Sequence, residues 1–139
     1  MTLTIPDNEA FTARETLCRL GIPVAHVERA DIWTFTIDEV HAAALRSTLA
    51  TMESIFNPNK HRLEERAGSH PREGEVWIAP HDERGAGGIG RRAIAGVSAI
   101  RRRVAWRLMA AGGANVDPAM LDRAVETFLC NPAFQKAIR

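Results

Sequence analysis

Apolar residues in the first half of the chain recur first at helical spacing, then at alternating spacing, then at helical spacing again. Ala10, Ala13, Leu17 and Leu20 stand three or four apart and mark one face of a helix. Pro6-Asp7-Asn8 supplies its entry, where Asp7 or Asn8 accepts from free first-turn N–H groups. Gly21 closes it as a left-handed cap and Pro23 prevents resumption. Residues 1–5 read as a short strand before it, and residues 24–27 and 32–37 as two strands after it. The second of these alternates Trp33, Phe35 and Ile37 with Thr34 and Thr36, the period of a half-buried strand. Asp38 then caps a second helix whose stripe is Ala42, Leu45, Leu49, Met52 and Phe56. Asn57-Pro58-Asn59 stops that helix, and residues 61–65 offer a closing strand.

The second half repeats the plan with more glycine. Residues 75–79 read as a strand, and Gly85, Gly87, Gly88 and Gly90 occupy the place of the first helix. Interior helical glycine costs about 1 kcal/mol relative to alanine, so a loop is expected there, with a short helix from Arg91. Residues 104–110 form a strand with Trp106, and Asp117-Pro118 opens a helix with the face Leu121, Ala124, Val125, Phe128 and Leu129. Three landmarks keep their order. Pro80 follows Pro6 by 74 positions (80 − 6), Trp106 follows Trp33 by 73 (106 − 33), and Asn131 follows Asn57 by 74 (131 − 57). The pattern predicts two tandem β-α-β-(β)-α repeats in an α+β fold, with antiparallel sheet and helices on one face, related by a pseudo-two-fold axis. The repeats span 1–66 and 75–139, joined by a polar linker, 67–74, and packed as one unit.

Composition is that of an ordinary globular domain, with 45 % hydrophobic and 25 % charged residues. The net charge of +1 hides an asymmetry: residues 1–70 hold ten acids against seven Lys and Arg, residues 71–139 seven against eleven. Halves of opposite sign favour pairing with each other. The apolar runs are too short for a membrane span and the N-terminus lacks a secretory pattern, so a cytoplasmic protein is expected. Cys18 and Cys130 fall in helical apolar patterns and read as buried thiols.

Few residues suggest chemistry. Gly85-x-Gly87-x-x-Gly90 matches the dinucleotide fingerprint literally, but no acid follows at the distance needed to hold a ribose. Gly87, Gly88, Gly90, Arg91, Arg92 and Arg101 remain a candidate anion site. Nucleic acid is disfavoured, because the arginines are not interleaved with exposed aromatics apart from Trp106. His61, His70 and His81 fit no compact metal template and read as solvated. No nucleophile elbow or phosphate-binding loop with lysine is present. No catalytic residue, cofactor or metal is expected.

One family is similar in its motifs. Pro6-Asp7-Asn8-Glu9-Ala10, Leu17-Cys18-Arg19-Leu20-Gly21-Ile22, Val24-Ala25-His26-Val27 and Ile55-Phe56-Asn57-Pro58 resemble the PurS-type small subunit of phosphoribosylformylglycinamidine synthase. Leu129-Cys130-Asn131-Pro132 repeats the apolar-x-Asn-Pro hallmark. The family's glycine- and lysine-bearing turn between middle strands is replaced here by Glu28-Arg29-Ala30-Asp31, and its members are shorter and single-copy. The resemblance implies a non-catalytic adaptor of purine biosynthesis that bridges the synthetase and glutaminase subunits and forms oligomers. Asn57, Pro58, Asn59, Asn131 and Pro132 are its candidate partner-binding residues.

Overall fold

The computed structural model describes residues 1–3, 6–52, 56–57, 59–66, 68–83 and 94–139. Strand β1 (Thr2–Leu3) leads to helix α1 (Asn8–Arg19). The Asp7 carboxylate accepts from the N–H groups of Glu9 and Ala10, and Gly21 ends the helix at φ +80°. Strand β2 (His26–Ile37) and helix α2 (Glu39–Thr51) follow, with the Asp38 carboxylate accepting from His41 N–H. Next come β3 (His61–Arg62), β4 (Glu75–Pro80), β5 (Val97–Met109), α3 (Pro118–Ala124) and β6 (Gln135–Ile138). The fold is α+β. Among the described residues, β1 pairs with β3, and four strands form an antiparallel sheet in the order β2-β5-β4-β6.

Three expectations are corrected. The two middle strands of the first half are one strand: Glu28-Arg29-Ala30-Asp31 contains no glycine or proline, and every position pairs with β5. Residues 97–103 are strand and not the tail of a helix from Arg91; Val97, Ile100 and Val104 are β-branched and find partners along β2. Helix α2 ends at Thr51, short of Asn57.

Helices α1 and α3 pack on one half of the β2–β5 ladder. Ala10, Ala13 and Leu17 of α1 join Val27, Val76, Ile78, Leu108, Leu121 and Ala124 in one buried cluster. Helix α2 covers the other half, with Leu49 against Val97, Ile100, Trp33 and Phe35. Val27, Trp33 and Phe35 are odd-numbered positions of one strand, so all three helices lie on the same face. Leu45, Met52 and Phe56 are only half-buried, and Phe128 is 41 % exposed. For Phe128 the reason is a π-helical turn, Val125–Leu129, that closes with Cys130 N–H on the Val125 carbonyl. Its wider turn delivers Leu129 to the core and rotates Phe128 outward. Cys18 is exposed and Cys130 half-exposed, contrary to the expected burial.

The opposite face is covered over its centre. Trp77 is 2 % exposed and lies in a row with Ala105 and Ala30, whose small side chains leave room for an indole. Glu75 is 6 % exposed; both its oxygens take Arg66 Nη1 at 3.0 Å, and one accepts the Arg72 N–H at 2.9 Å. No helix among the described residues is long and apolar enough to cross a membrane.

Candidate functional site

Residues 73 apart meet at the centre of the β2–β5 ladder. Asp31 pairs with Val104 (104 − 31), and Trp33 with Arg102, while Arg29 pairs with Trp106. Antiparallel pairing about that centre puts each tryptophan opposite an arginine. The Arg29 guanidinium lies 5.9 Å from the Trp106 ring centre, and the Arg102 guanidinium 5.4 Å from that of Trp33. Acids supply the remaining charge balance. Arg102 Nη2 reaches Asp31 at 3.2 Å, and Arg29 Nε lies 2.7 Å from Glu9. That second contact is ionic without hydrogen-bond alignment, since Arg29 Nε has no directed acceptor.

The two Asn turns are alike in detail. The Asn57 carbonyl accepts from Lys60 and His61 N–H at 3.0 and 2.8 Å, and the Asn131 carbonyl from Phe134 and Gln135 N–H at 3.0 and 2.8 Å. Asn57 Oδ1 accepts from Asn59 N–H at 2.9 Å, and Asn131 Oδ1 from Ala133 N–H at 3.0 Å. A side chain four residues on then accepts the Asn N–H: His61 Nδ1 for Asn57 and Gln135 Oε1 for Asn131. These are Asx turns that start β3 and β6. The Pro132 carbonyl is bonded to His81 Nε2 at 2.8 Å. The backbone groups of these turns are therefore used internally and are not left open by proline. Asn59, Asn131 and Pro132 are exposed as surfaces, Asn57 is half-buried, and Pro58 lies outside the described residues.

The proline landmark does not hold. Met1 meets Asp31 and Thr2 pairs with Arg62, while Ile78 pairs with Val104 and Ala79 with Lys136. Those pairs align β1 with β4 at 77 positions (79 − 2), so Pro80 is a strand residue with no counterpart in Pro6. Proline is tolerated at 80 because pairing of β4 with β5 has already ended at Ile78.

The basic run divides between the faces of β5. Arg101 is exposed on the face away from the helices. Arg103, on the same face, is held by Glu83 at 2.7 Å and covers Trp77 at 5.9 Å. Arg107 reaches Asn115 at 3.1 Å and Glu28 at 3.9 Å. Among the described residues, acids distant in sequence thus meet Arg102, Arg103 and Arg107. The Arg103 guanidinium, with Lys136 adding its field, keeps the Glu83 carboxyl below the ordinary glutamate range. Gly87, Gly88, Gly90, Arg91 and Arg92 lie outside the described residues.

His61 and His81 hold turn groups and are not simply solvated. His41 Nδ1 lies 2.6 Å from Asp38 Oδ1, a bond that lowers the Asp38 carboxyl. Among the described residues, no group of three or more His, Cys, Asp or Glu is placed to hold a metal. Sequence reasoning missed Arg29, although the offset of 73 that joins the tryptophans also carries Arg29 onto Arg102 (102 − 29). The chain matches no known family model and no curated protein.

Proposed function

We propose that the chain is a covalent pair of like units that acts as a non-catalytic adaptor between the synthetase and glutaminase subunits of phosphoribosylformylglycinamidine synthase. The observation that carries this reading is the pair of matched Asn turns beside a shared ladder in which Asp31 meets Val104. Gln135 pairs with Pro80, beyond the Ile78–Val104 pair toward Arg102, whereas His61 pairs with Leu3, beyond the Met1–Asp31 contact toward Arg29, so the two turns extend toward opposite ends of the ladder. Two like surfaces directed apart suit a bridge. The exposed parts of Asn59, Asn131 and Pro132 are its contact points, with oligomers of the chain as a further assembly. The reading puts the protein in the cytoplasm, with no cofactor of its own.

Reconstitution tests it. Added to matching synthetase and glutaminase subunits, the protein raises glutamine-dependent synthesis and leaves ammonia-dependent synthesis much less affected, because a bridge shortens the path of released ammonia. Equal glutamine-dependent rates with and without the chain reject the reading for that partner set. The alternative, binding of a small anionic ligand or nucleic acid, rests on the glycine- and arginine-rich segment Gly85 to Arg107. Within the described residues Arg101 and Arg102 of that segment are exposed, and Arg102, Arg103 and Arg107 have acid partners.

A further inference from the structure

Strand β2 is an edge of the four-stranded sheet. On its outer side Asp31 exchanges two bonds with Met1: the Asp31 N–H donates at 2.8 Å and the Met1 nitrogen donates to the Asp31 carbonyl at 2.6 Å. Backbone groups alternate in direction along a strand, so the N–H and C=O of Trp33 point outward too. No strand is paired there among the described residues. The equivalent stretch of β5 is filled. Ala105, Trp106 and Arg107, each 73 positions after Ile32, Trp33 and Thr34, pair with Trp77, Val76 and Glu75 of β4. Along the open stretch runs a cavity of about 540 Å³, lined by Ile32, Trp33 and Thr34, by Leu45 and Leu49 of α2, and by Trp77. The Nε1 groups of Trp33 and Trp77 are buried without an acceptor.

We infer that this slot binds an extended segment of a partner protein, added antiparallel to β2 as a further strand. The filled counterpart defines the occupant. In β4, Val76 and Trp77 are 0 and 2 % exposed, and Glu75 is a partner of arginine. A residue opposite Trp33 shares its face and meets Leu45 and Leu49, so it is apolar. The residue opposite Ile32 falls on the other face beside Trp77 and is apolar or aromatic; the one opposite Thr34 is polar. Three residues span about 10 Å, at roughly 3.3 Å each. Main-chain bonds hold such a segment, and alternate side chains select it. The inference does not depend on the adaptor reading, since it rests on the open stretch of β2 and on the cavity beside it, whose far wall is the 63–66 segment.

The probe is the acetylated, amidated tetrapeptide Gly-Glu-Val-Trp, the sequence of residues 74–77, added to the intact, isotope-labelled protein. Amide resonances of Ile32, Trp33 and Thr34 shift saturably, with a Kd of about 1 mM or tighter, and the Trp33 amide gains protection from exchange. N-methylation at the peptide valine, whose N–H faces the Trp33 carbonyl, weakens binding about tenfold. N-methylation at the peptide tryptophan, whose N–H faces away, leaves binding intact. Absence of saturable shifts overturns the inference. So do shifts confined to Ala105, Trp106 and Arg107, which mean displacement of β4. Concentration-dependent shifts at residues 32–35 without peptide also overturn it, because the occupant is then a second copy of the chain. Reconstituted glutamine-dependent activity is read separately and does not enter this outcome.

Discussion

Arg103 and Glu83 show how single residues carry both charge and packing. The guanidinium that lies over Trp77 is held at 2.7 Å by a carboxylate 20 residues earlier. Truncating either partner releases the other from a site in which both side chains are at most 15 % exposed. The pH dependence follows from the direction of the Glu83 shift. Its folded carboxyl titrates below its ordinary value of about 4.5, so the unfolded chain takes up the proton first as pH falls. The pair's contribution is complete above that value and is lost as pH drops through the lower, folded one. Glu83→Gln is expected to cost about 1 kcal/mol at pH 7, the upper range for an ion pair near the surface. Urea midpoints measured from pH 7 to pH 3 should converge for parent and variant. A gap that persists unchanged at pH 3 means that packing, and not charge, holds the pair.

At the scale of elements, turns decide where strands begin. Gly96 precedes β5 at φ +78°, its carbonyl accepts the Asp38 N–H at 3.2 Å, and a Cβ there meets His41 Nδ1 at 2.5 Å. Gly112 follows β5 at φ +87° with nothing within 4 Å of such a Cβ. Gly96→Ala and Gly112→Ala therefore share backbone strain, and only the first adds a clash with the entry of α2. Each is expected to lower stability by about 1 kcal/mol or more, Gly96→Ala by the larger amount. Equal melting temperatures for the two variants would remove the contact from the explanation. The caps Asp7, Asp38, Asp117 and Gly21 were legible in the sequence because capping is local. So were the helical faces around Leu17, Leu49 and Leu121. The full length of β2 and β5 was not, since each is fixed by the other strand 60 or more positions away. The π turn hid Phe128's exposure, because a helical wheel assumes one spacing throughout. Of the candidate site, the Asn turns were visible as motifs, but their internal hydrogen bonds were not. Nor were the acids that reach Arg102 from β2 and Arg103 from the segment after β4.

The whole molecule is held by a core that neither half owns. Leu17, Ile22 and Val27 from the first half share one cluster with Val76, Leu108, Leu121 and Val125 from the second, and among the described residues the ladder partner of β2 is β5. The charges cross the same boundary: Asp31 meets Arg102, and Glu75 meets Arg66. A half expressed alone would expose the apolar face of β2 or β5 and leave a long strand edge unpaired. Residues 1–66 and 75–139 made as separate chains are each expected to lack a cooperative thermal transition. Mixed in equal amounts, they should assemble into a one-to-one complex that melts cooperatively at a temperature that rises with concentration, as mass action requires. Cooperative unfolding of the isolated 1–66 fragment as a monomer, seen by circular dichroism and sedimentation, would mean that each unit closes its own core. The shared ladder would then be an interface between two domains that each fold alone.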